Sequence, residues 1–134
     1  MEFATLAPLL VLLLAGATSY GIAFRMKLEV GNASRAGAAW AAEYGFDQAK
    51  ITAAAQAATA LSSVSVVVTE ATASCTNPGT GAISPIGSAP LCPNGAPAGT
   101  YAIVQTQLSY PYVLAPLGLA KSTTLASKAV ARVQ

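Results

Sequence analysis

From Phe3 to Phe24 the chain reads FATLAPLLVLLLAGATSYGIAF, an apolar run without a charge. About 20 such residues cross the hydrocarbon core of a bilayer. Arg25 and Lys27 end the run, and beyond them the pattern becomes one-sided. Met26, Val30, Ala33, Gly37, Trp40 and Tyr44 recur at steps of three and four, while Arg25, Glu29, Asn32 and Glu43 fall on one flank. That is the period of an amphipathic helix. No proline interrupts residues 9–77. A helix over Phe3–Tyr44 would be roughly 60 Å long at 1.5 Å per residue. This is about twice the bilayer core, so half of the helix projects beyond the membrane or lies in an assembly that replaces it. Pro8 removes one helical hydrogen bond and crowds the carbonyl of Ala4, which predicts a kink or local opening there.

Gly45 and Asp47 read as a stop and a new cap. Ile51, Ala54, Ala58 and Leu61 make a second apolar stripe, which predicts a helix over about residues 47–60. The period then changes to two. Ser63–Thr72 alternates Val64, Val66 and Val68 against Ser65 and Thr69. Thr100–Tyr110 places Ala102, Val104, Leu108 and Tyr110 on one face, and Pro111 ends it. Thr123–Val133 sets Leu125, Ala129, Ala131 and Val133 against Lys128 and Arg132. Each reads as a half-buried strand. The expected architecture is α+β: a long N-terminal helix, membrane-spanning in its first half, carrying a small three-stranded antiparallel sheet on its second. The domain boundaries that follow are 1–44 for the helix and 45–134 for an extracytoplasmic domain, with a Pro/Gly-rich loop over 73–99.

Composition agrees with an anchored or assembled chain. Hydrophobic residues are 54% and charged residues 9% of 134, whereas charge is about a quarter of an ordinary soluble domain. A net charge of +2 with scattered basic residues argues against a nucleic-acid partner. Histidine is absent, so the commonest general base and metal ligand are missing. Two cysteines without a carboxylate cluster complete no metal site. An enzyme is not expected, and no cofactor. A cleavable signal peptide is a rival for the first run, but no basic region stands before it and no convincing small-residue cleavage site follows.

Three sets of residues carry function. Cys75 and Cys92 bracket the loop and form a disulfide if the domain lies outside the cytoplasm, worth about 3 kcal/mol in the chain-entropy model. Gly16, Gly21, Gly31 and Gly37 each cost about 1 kcal/mol in a helix interior. They fit close helix–helix approach, which small residues permit in lipid. Glu2 is an acid at the mouth of an apolar span. From the residues alone it either pairs with the amine of Met1, its own or a neighbour's, or stays in the aqueous headgroup zone.

The stretch MEFATLAPLLVLLLAGATSYGIAF followed by RMKLEVGNASRAGAAWAA resembles the TadE-like pilins and pseudopilins of tight adherence (Tad) pili, which are type IV-like. The likeness lies in the EFA-type start, the early proline, the leucine run and the pattern Ser34-Arg35-Ala36-Gly37-Ala38-Ala39-Trp40-Ala41. Ser109-Tyr110-Pro111-Tyr112 and Lys128-Ala129-Val130-Ala131-Arg132 resemble the family's last two strands. The resemblance implies a bacterial inner-membrane protein, processed by a prepilin peptidase and drawn by an ATP-driven machine into a surface filament of copies of itself. It also implies that Glu2 meets the terminal amine of a neighbour's Met1, although the family's acid usually sits a few residues further along. Other readings are a minor pseudopilin for assembly or the tip, a membrane-anchored adhesin or binding module using the Cys75–Cys92 loop, and a plain anchored domain.

Overall fold

The computed structural model describes residues 3–77, 79–80, 82–86, 91–110 and 122–133. Helix α1 (Phe3–Tyr44) is followed by α2 (Gln48–Ala57) and by strands β1 (Ser65–Thr76), β2 (Ile83–Pro85), β3 (Gly99–Tyr110) and β4 (Thr123–Val133). The strands form one antiparallel sheet in the order β2-β1-β3-β4. The sheet therefore has four strands, one more than the alternation of residues predicts. The extra strand, β2, pairs Pro85, Ser84 and Ile83 with Ser74, Cys75 and Thr76. Three residues ending in a proline carry no period, so only the tertiary pairing makes this segment a strand.

α1 runs as one helix through Pro8. The opening expected near Ala4 does not break it, because a proline this close to the start removes a single hydrogen bond to the first turns. The helix ends where Gly45 takes φ +92°, a left-handed conformation that glycine adopts without strain. The Gly45 N–H closes on the Ala41 carbonyl at 3.0 Å. Asp47 then caps α2, its carboxylate accepting from the N–H groups of Ala49 and Lys50 at 3.1 Å each. α1 and α2 are thus two helices. α2 buries Ile51 and Ala55, not Ala58, which is exposed just past its end.

The second half of α1 lies against β3 and β4. Val30, Ala33, Ser34, Gly37, Ala38 and Ala41 face inward. The sheet meets them with Val68, Ala102, Val104, Leu108 and Val133, and α2 closes one side with Ile51. Lys128 and Arg132 point away from the helix, as the alternation predicts. Tyr44, counted on the helical stripe, is instead exposed beyond the sheet and stacks on Trp40 with ring centroids 5.2 Å apart. Midway along β1 the register shifts between Ala71 and Ser74, where Ala73 takes φ 44°. This bulge re-aims the strand toward β2.

Candidate assembly surfaces

Among the described residues, the apolar side chains from Leu6 to Leu14 in the first half of α1 are left uncovered by the rest of the fold. The large ones are each 55–65% exposed. The helix is long and apolar enough to cross a membrane, with a mean hydropathy of 1.9 over its most apolar window. The sequence produces this exposure simply. A helix apolar on every side needs cover on every side, and the described contacts of the sheet with α1 lie along its second half, where the Lys27 ammonium donates to the Ala126 carbonyl of β4.

The four helix glycines separate into two pairs. An added Cβ at Gly16 or Gly21 would meet nothing within 4 Å. Gly16 lies in a shallow hollow with Leu9, Leu12, Leu13 and Ala17. Gly31 and Gly37 face the chain's own sheet. A Cβ on Gly31 would stand 4.0 Å from Ser127 Oγ. At Gly37 it would stand 3.1 Å from Val104 and 3.3 Å from both Ala55 and Ile51. Close approach at Gly37 is therefore met by β3 and α2 within one chain. Met1 and Glu2 lie outside the described residues, as do Pro111 and Tyr112.

Polar side chains that the hydropathy pattern passes over fix the helix on the sheet. Thr106, fully buried, donates to the Val30 carbonyl at 2.8 Å. Ser34, also buried, donates to the Gly31 carbonyl at 2.9 Å and shares a 3.0 Å hydrogen bond with Ser127. Thr106 and Ser127 are register partners on β3 and β4, so these bonds cluster at one level of the helix. The signal for them was the inward parity of both strand residues, which the polar residue type concealed. One turn lower, Arg25 Nε lies 3.2 Å from Glu29, which also accepts from Thr59 at 3.4 Å. That second bond ties the end of α2 to α1.

Cys75 and Cys92 form a disulfide across 17 residues, with Cα atoms 5.7 Å apart. It pins the loop to β1 beside the short β2 pairing, and both cysteines are buried. A cleft of about 240 Å³ opens there, lined by Thr76, Asn77, Ser84, Ile86, Pro93 and Asn94 as well as the two cysteines. Its described lining holds neither charge nor aromatic ring, so it offers hydrogen bonds but no general acid, base or ion site. Among the described residues no group of three His, Cys, Asp or Glu is placed to hold a metal ion.

Residues 1–39 match the family model described as TadE-like protein. No match was found among curated proteins or solved structures. The matched span takes in the exposed half of α1 and the helix up to Ala39, and leaves out α2 and the sheet. The match covers under a third of the chain and likens that N-terminal span to TadE-like proteins.

Proposed function

We propose that this TadE-like chain is a structural subunit of a bacterial type IV-like (Tad) pilus, polymerising through α1 into a surface filament. The observation that carries the reading is the exposed apolar half of α1. Burying each large apolar side chain is worth about 1.5–3 kcal/mol. Covering the run from Leu6 to Leu14 is therefore worth on the order of 10 kcal/mol. Lipid supplies that cover before assembly, with one helix in the inner membrane and residues 45–134 outside the cytoplasm. In a filament the α1 helices of neighbouring copies supply it, and the open notches at Gly16 and Gly21 admit their side chains closely.

The sheet supports the same arrangement. Its described contacts are with the second half of α1, and the exposed side chains from Leu6 to Leu14 can enter a bundle while the domains stay outside it. Glu2 and Met1 are proposed to pair between copies at the helix start. A prepilin peptidase and the pilus assembly machinery are the further partners of this reading. The disulfide suits an oxidising compartment outside the cytoplasm.

Cryo-microscopy of filaments sheared from the cell surface tests the proposal. The expected reconstruction has α1 helices in the core, with one domain per copy around them. Recovery of this chain only as dispersed membrane monomers, with none in the filaments, would refute it.

A further inference from the structure

α1 carries five charges among its described residues: Arg25, Lys27, Glu29, Arg35 and Glu43. Three are used within the chain. Arg25 pairs with Glu29, and Lys27 bonds the Ala126 carbonyl. Arg35 and Glu43 are both exposed and have no ion pair among the described residues. Glu43 accepts a hydrogen bond from the neighbouring Tyr44 hydroxyl. They cannot pair with each other along one helix, because eight residues separate them by about 12 Å.

Both stand on the side of α1 turned away from the sheet. That side shows Leu28, Asn32, Ala39 and Ala42, all exposed, opposite the buried Val30, Ser34, Gly37 and Ala41. Ala39 and Ala42 keep it low around the two charges, so another helix can come close. It bears one positive and one negative charge, which makes it complementary to a second copy of itself.

We propose that Arg35 of one copy pairs with Glu43 of the next, setting an axial stagger of about 12 Å between parallel α1 helices. This rests on the filament reading, since chains anchored the same way in one bilayer lie parallel. Eight residues at 100° each place the two charges about 80° apart around the helix. The contact therefore joins two different patches. A contact of that kind propagates from copy to copy instead of closing on a pair.

Charge reversal tests it in cells that assemble the filament. Arg35→Glu and Glu43→Arg are each expected to lower the yield of sheared filaments about tenfold. The double variant is expected to return to within about threefold of the unmodified chain. Both positions are exposed, so an unchanged thermal unfolding midpoint and an intact Cys75–Cys92 disulfide should accompany all three variants. A reconstruction should also show neighbouring α1 helices offset by about 12 Å, with Arg35 facing Glu43. Filaments indifferent to either reversal, a double variant no better than the singles, or a reconstruction that separates the two side chains overturns the pairing while leaving the filament standing. A chain absent from filaments altogether overturns both.

Discussion

Gly37 occupies the point where α1, β3 and α2 meet. Replacing it by alanine sets two effects of known sign against each other. In the helix alone, alanine is favoured over glycine by about 1 kcal/mol. In the fold, the new Cβ meets Val104 at 3.1 Å and Ala55 and Ile51 at 3.3 Å. Val104, Ile51 and Ala55 are all fully buried. The first two are β-branched and stiff, and the Ala55 methyl is fixed to its own helix backbone, so none of the three can rotate aside. Overpacking of this kind costs about 1–3 kcal/mol. The net expectation for Gly37→Ala is a loss of about 1 kcal/mol, which lowers the unfolding midpoint by about 4–8 °C for a domain of this size. The sole tryptophan, Trp40, packs against the same cluster, so its fluorescence during heating of the detergent-solubilised chain reads the transition directly. Gly21→Ala is the control. Its Cβ meets nothing within 4 Å, and it should leave that transition in place. A Gly37→Ala chain as stable as the unmodified one, or more so, would show that the helix does not approach β3 and α2 as closely as these distances state.

Further expectations concern the sheet and the loop. Converting both Cys75 and Cys92 to alanine should cost about 3 kcal/mol for the 17-residue closure, visible as a lower urea midpoint; no change would mean that the loop is held by other contacts. Thr106→Val removes the bond to the Val30 carbonyl and should cost about 1 kcal/mol, with hydrogen exchange speeding up first around residues 30–34. Asp47→Ala takes away both bonds that cap α2 and should cost about 1 kcal/mol; Asp47→Asn, which keeps an accepting oxygen, should recover most of it.

The parts of this fold that repeat were legible. The long apolar run, the helical stripe and three alternating strands each rest on several residues that agree, and the structure reproduces their positions within a few residues. What was not legible depends on partners distant in the chain. β2 is a strand because Ser74–Thr76 lies beside it, and nothing within Ile83–Pro85 announces that. Ser34, Thr106 and Ser127 are core positions because each completes a hydrogen bond across the helix–sheet interface, a property that hydropathy scores against them. The glycine pattern names four positions on α1 but not what each of them faces. Gly31 and Gly37 turn to the chain's own sheet, whereas a Cβ at Gly16 or Gly21 would meet nothing within 4 Å among the described residues. Of the assembly features, the exposed apolar helix was plain from its lack of charge. That Arg35 and Glu43 have no ion pair among the described residues appears only once the structure has used up the other charges on α1.

The polar bonds at Val30, Ser34 and Lys27 have a mechanical meaning. They sit in the part of the described helix–sheet interface nearer the apolar half of α1, the side from which a pull along that half enters the domain. Each joins helix to sheet across the direction of such a pull, so it is loaded in shear and the bonds must slip together instead of unzipping in turn. Behind them, the apolar contacts from Gly37 to Ala41 are shielded until the first group yields. The domain is thus attached to its helix as a lap joint with its keys at the loaded edge, and tension along the helices would strain the subunit there before it reached the disulfide loop.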